Sequence, residues 1–161
     1  MDKPKLTKKR CTPAQAKAKA EHYCAYQERS QQELRDKLYS WGLHQADVER
    51  IISDLIEDNF LSESRFAHAY VSGKFKMKAW GKFKIKAGLK AKQVPTRIIQ
   101  EALDAIPEDI YQETLEEVLQ KKANLIWESD TFVRQQKLLQ YALMRGFERE
   151  IILEILSSRV L

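Results

Sequence analysis

The chain has 161 residues, 43% of them hydrophobic and 32% charged, with a net charge of +5. That length can bury a domain-sized core, and the composition excludes a disordered acidic or mucin-like chain. Five glycines and four prolines are too few for a sandwich or barrel with many tight turns. No apolar run approaches the ~18 residues of a membrane span, so a cytoplasmic protein is expected.

The first eleven residues read as a basic flexible tail, and with no apolar stretch behind them they are no secretion signal. Thr12-Pro13-Ala14-Gln15 starts a first helix with a capping box, running to about Glu28. Ser30 and Glu33 form a second capping box; Leu34, Leu38 and Trp41 follow as an apolar stripe, and Gly42 stops the helix. A third helix lies between Leu43 and Phe60, with Val48, Ile51, Ile52 and Leu55 on one side. Ser62 can cap a fourth, whose expected core face is Phe66, Tyr70, Gly73, Met77 and Trp80, ended by Gly81. Residues 82–92 make a fifth. Pro95 opens a sixth and Pro107 breaks it; a long helix spans about Glu108 to Glu128. Asp130 caps the eighth, which ends at Gly146, and the last carries Ile151, Ile152, Ile155 and Leu156. Residues 74–86, KFKMKAWGKFKIK, also alternate at period two, as a half-buried strand would. The helical spacing from Phe66 to Trp80 is longer than either alternation, so helices are expected here.

Aligning Gly42, Gln93 and Gly146 exposes an internal repeat. Apolar residues or alanine recur eight and four positions before each anchor and one, six, nine and ten after it; Leu34, Ile85 and Leu138 are the first such set. The expected fold class is therefore all-α, three tandem three-helix repeats stacked into an elongated, slightly curved rod. The expected segments are the tail 1–11 and repeats 12–60, 61–106 and 107–161.

Charge is uneven along this frame. From Ser72 to Lys92 there are eight lysines and no acid, whereas the chain outside residues 1–20 and 72–92 has 13 bases against 22 acids. An exposed helix ordinarily pairs its lysines with acids at i, i+4. Lys74, Lys76, Lys78, Lys82, Lys84, Lys86, Lys90 and Lys92, with Arg65 and Arg97, are therefore the candidate contacts to a polyanion or an acidic protein surface. Lysine suits sequence-independent phosphate contact, and the base-reading residues arginine and asparagine are absent from the stretch. The bland alternative is a solvated face whose lysine stems cover apolar surface. Phe75, Trp80 and Phe83 are possible stacking or partner contacts, with packing between repeats preferred for Trp80. Arg65 has a competing role in an ion pair with Glu63 or Asp58. Cys24 reads as a core residue, and His44 and His68 as surface residues. Cys11, Cys24 and His22 have no metal-site spacing, and no nucleotide-binding, metalloprotease or nucleophile motif is present. No cofactor, metal or catalytic residue is expected.

Several pieces resemble the RecX family of bacterial recombination regulators: Glu28-Arg29-Ser30 with Glu33-Leu34, Trp41-Gly42, Phe60-Leu61, and Ser64-Arg65-Phe66-Ala67 with Tyr70-Val71, followed by the basic run. The resemblance covers about residues 14–156. It implies tandem three-helix repeats, binding to the RecA recombinase and its filament on single-stranded DNA, and inhibition of strand exchange, ATP hydrolysis and co-protease function. It implies DNA binding and no catalytic residue, and a monomer is expected. The family usually has glycine where this chain has Gln93. The rival expectations are a sequence-independent DNA-binding module without a recombinase partner, and a helical scaffold for another acidic protein.

Overall fold

The computed structural model describes residues 10–161, and all secondary structure among them is helical: α1 (Pro13–Tyr26), α2 (Gln31–Ser40), α3 (Gln45–Glu57), α4 (Glu63–Lys78), α5 (Lys82–Ala91), α6 (Thr96–Asp104), α7 (Glu108–Ala123), α8 (Thr131–Met144) and α9 (Arg149–Ser158). No helix among these residues is long and apolar enough to cross a membrane. Most of the expected N-terminal tail lies outside the described residues. Cys11 does not belong to a free tail: it packs against the first core, and its amide donates to the Trp41 carbonyl at 3.3 Å.

The helix starts follow from local chemistry. Thr12 and Gln15 close one capping box and Ser30 and Glu33 another, each satisfying two amides that a helix N-terminus leaves without partners. Asp130 accepts from the Val133 amide at 2.9 Å. Pro95 and Pro107 stand at the N-caps of α6 and α7, where a missing N–H costs nothing.

The repeat is visible as burial. Leu34, Ile85 and Leu138 are each 0% exposed, and the other five sets of repeat positions are buried in all three units. The anchors share a backbone state as well: φ is +85° at Gly42, +59° at Gln93 and +96° at Gly146. Gln93 therefore keeps the left-handed turn that glycine would make more cheaply. Its hydrogen bonds match those at Gly146, with Gln93 N–H to Lys90 and Val94 N–H to Leu89 corresponding to Gly146 to Leu143 and Phe147 to Ala142.

The chain divides into two compact units, one up to Phe66 and one from Ala67 onward. In the first, α1, α2 and α3 enclose Ala16, Ala20, Leu34, Leu38, Val48 and Leu55, with Cys24 also buried as expected. Burial raises the Cys24 thiol pKa to about 11, so the thiol is inert at neutral pH. In the second, α4 to α9 enclose Val71, Phe75, Ile85, Tyr111, Leu115 and Phe147 among others.

Two expectations about α4 are corrected. Its buried face is Phe66, Ala67, Val71 and Phe75, and Met77, placed in the expected stripe, is 86% exposed. Phe75 wins because it stacks on Tyr111 of α7, with ring centres 5.8 Å apart, which turns the helix away from the Met77 side. The helix also stops at Lys78, because Ala79 takes φ +50°, so Gly81 caps the start of α5 and does not end α4. The period-two alternation produces no strand.

Candidate nucleic-acid interface

The lysine-rich stretch is a helix pair, α4 and α5, joined by Ala79-Trp80-Gly81. Trp80 is half-buried, and three lysines converge on it. Lys74 and Lys78, one turn apart on α4, lie with Nζ 4.8 and 5.8 Å from its ring centre, and Lys84 of α5 reaches within 4.6 Å. Lys74 also lies 5.4 Å from the Tyr70 ring, and Lys82 is 4.9 Å from the ring of Tyr111. The ring faces stabilise these cations modestly without removing their charge. Among the described residues, no acid forms an ion pair with Lys74, Lys76, Lys78, Lys82, Lys84, Lys86 or Lys90.

The placement is electrostatically uneven in an informative way. Lys76 and Lys78 sit in the last turn of α4, where the helix dipole favours cations. Lys82 and Lys84 sit in the first turn of α5, where it disfavours them. Three ammonium groups around one indole, two cations at the wrong helix end and no acid paired with them make a surface of uncompensated positive charge among the described residues.

At the α5 N-terminus itself, three amides are already taken. Gly81 donates to the Arg145 carbonyl at 2.8 Å, Phe83 to the Gly146 carbonyl at 3.0 Å, and Lys82 to the Tyr111 hydroxyl at 3.0 Å. The Tyr111 hydroxyl in turn donates to Glu148 at 2.6 Å. Burial, then the bond to Glu148, raises the phenol's pKa far above its ordinary value, so it stays a donor at all working pH. Arg145 donates to the Lys78 carbonyl at the end of α4. A Cβ on Gly81 would lie 2.3 Å from the Gly146 backbone, so two glycines permit this approach. The α8–α9 turn thus ties down the junction of the basic helix pair through these hydrogen bonds.

The other candidate residues divide. Lys76, Lys90 and Arg97 are exposed; Lys86 and Lys92 are half-buried. Phe83 is 61% exposed and available to a partner. Phe75, expected as a possible partner contact, is a core residue at 5% exposure. Arg65 is engaged within the first unit: its Nε donates to Glu28 at 3.0 Å and its Nη2 to the Asn59 carbonyl at 2.8 Å. The ion pair is therefore with Glu28, not with Glu63 or Asp58. Glu63 instead accepts from the Gln31 amide at 2.5 Å, and burial raises its carboxyl above the usual range. His44 and His68 are exposed as expected. Sequence reasoning missed Tyr111, Arg145 and Glu148. Only the two glycines, spaced far apart in sequence, carried a signal for their seam, and spacing does not show that they meet.

Comparison with known proteins accounts for most of the chain. The family description "RecX, first three-helix domain" matches residues 16–55, the second three-helix domain residues 62–103 and the third residues 108–156. The Regulatory protein RecX of Clostridium acetobutylicum is 33% identical over 147 residues, covering 89% of this chain and 68% of that protein. That of Clostridium botulinum strain Eklund 17B is 30% identical over 134 residues, covering 82% and 62%. Against this and three other clostridial relatives, the chain spans 56–62% of their length. The crystal structure of RecX from Lactobacillus salivarius superposes with a TM-score of 0.84 at 27% identity, covering 91% of this chain and 95% of that one.

Proposed function

The chain belongs to the RecX family, and from that premise we propose that it binds the RecA recombinase filament on single-stranded DNA and inhibits it. The activities lowered are strand exchange, ATP hydrolysis and co-protease function. The observation that carries the reading is the convergence of Lys74, Lys78 and Lys84 on Trp80 without an acid partner. A pre-assembled cluster of ammonium groups suits the phosphate backbone, or an acidic recombinase surface beside it, and it carries no base-specific geometry. The acidic remainder of the chain is suited to basic protein surface, so a basic middle within an acidic frame can bridge DNA and protomer.

The test is RecA ATPase activity on single-stranded DNA, titrated with this protein. The wild-type chain lowers the rate in a concentration-dependent way. The variant K74E/K78E/K84E, shown by circular dichroism to be folded, needs at least ten times more protein for the same inhibition. Equal inhibition by the folded variant removes the cluster from the mechanism. No inhibition by the wild-type chain overturns the recombinase reading itself.

A further inference from the structure

The connection from α7 to α8 leaves large apolar side chains in water: Trp127 is 99% exposed, Leu125 73% and Met144 69%. An indole with a polar edge and a wholly free face has no role in the core, and contiguous apolar surface of this kind marks an interaction site. These three residues line a groove of about 470 Å³ together with Lys122 and Tyr141. Lys122 Nζ is 4.8 Å from the Tyr141 ring centre, and the Arg145 guanidinium is 5.7 Å from the same ring. The nearby acid, Glu128, is neutralised by Lys137 at 3.6 Å. The groove therefore presents ring faces and cations.

Arg145 also joins this groove to the lysine-rich helices, because its guanidinium donates to the carbonyl of Lys78, one of the three lysines around Trp80. We propose that the groove is a base-stacking site for single-stranded nucleic acid, which carries the polyanion track of α4 and α5 across Arg145 onto the third three-helix unit. Trp127 is the stacking platform, and Lys122 and Arg145 are the backbone contacts. A free ring face beside flexible cations is the chemistry of sequence-tolerant single-strand binding, and duplex DNA, its bases already stacked, cannot use it. The proposal rests on the DNA-contact half of the preceding reading and adds a base-dependent component that lysines alone do not supply.

The experiment is fluorescence anisotropy of the full chain with labelled oligo(dT) and with an abasic oligonucleotide of the same length. The wild-type chain binds oligo(dT) about tenfold more tightly than the abasic strand, the size expected of one stacked base. Trp127→Ala removes that difference and leaves abasic binding and its salt dependence unchanged; Trp127→Phe restores most of it. Because the side chain is wholly exposed, neither substitution threatens the fold. Unchanged oligo(dT) binding by Trp127→Ala, or equal weakening on both strands, overturns the proposal. Loss of RecA binding with DNA binding intact also overturns it, by making the groove a protein dock. Salt-dependent binding with no preference for bases overturns this proposal alone, whereas no binding of the wild-type chain to either strand overturns the DNA-contact reading as well.

Discussion

Gln93 shows what a single residue contributes to this fold. At φ +59° it occupies the backbone state that glycine provides in the other two repeats. A left-handed L-residue costs roughly 1–2 kcal/mol, and glycine returns about 0.5–1 kcal/mol of that as extra chain entropy in the unfolded state. Gln93→Gly is therefore expected to stabilise the protein by roughly 0.5–1 kcal/mol, read as a shift in the urea midpoint at constant slope. Gly146→Ala is the opposite case. Its Cβ would lie 2.6 Å from the Lys84 amide nitrogen, in addition to the strain of φ +96°, and a loss above about 2 kcal/mol is expected. The family-like motifs also acquire a meaning at this scale. Glu28, Ser30, Glu63 and Arg65 cap and tie helix ends within the first unit through the Glu28–Arg65 pair and the Glu63–Gln31 contact. Of these, Arg65 was expected as a possible partner contact, because sequence shows a charge and not its partner.

Among the elements, the join between the basic helix pair and the α8–α9 turn matters most for function. The amide of Lys82, the hydroxyl of Tyr111 and the carboxylate of Glu148 form one hydrogen-bonded chain, and the Tyr111 ring stacks on Phe75 and meets Phe147 at a tilt. Tyr111→Phe keeps the ring and removes only the hydroxyl. It leaves a half-buried amide and a carboxylate without this partner, a loss of about 1–3 kcal/mol. Urea unfolding measures the loss, and faster amide exchange at Lys82 locates it at the start of α5. The same element explains why the buried stripe of α4 was misread. Phe66, Tyr70, Gly73, Met77 and Trp80 have good helical spacing, yet Ala67, Val71 and Phe75 are spaced equally well. Only the position of Tyr111 selects between the two faces.

For the molecule as a whole, the useful quantity is the distribution of charge and not its sum of +5. Eight lysines fall between Ser72 and Lys92, and seven of them make no ion pair among the described residues. If Lys74, Lys78 and Lys84 each neutralise one phosphate, counterion release adds about 0.7 to the salt slope for every contact on a single strand. The variant K74Q/K78Q/K84Q should therefore bind single-stranded DNA with a log–log slope shallower by about 2, measured by anisotropy between low and moderate salt. An unchanged slope would place these lysines away from phosphate.

By itself the sequence determined the helical class, the three-fold repeat, the capping residues at Thr12, Ser30 and Asp130, and the basic middle. Each of these is local: a cap needs its next three residues, a helix face needs its own period, and a charge run needs no partner to be counted. Tertiary structure alone decided which face of α4 is buried, that Arg65 belongs to Glu28, that Phe75 is core, and that three lysines share one indole. It also brought Gly81 against Gly146 and left Trp127 in water. Apart from the lysine cluster, which the α4–α5 turn at Ala79 assembles from near neighbours, such choices depend on residues tens of positions apart meeting in space, and the free energy of that meeting is not written in the pattern of either segment.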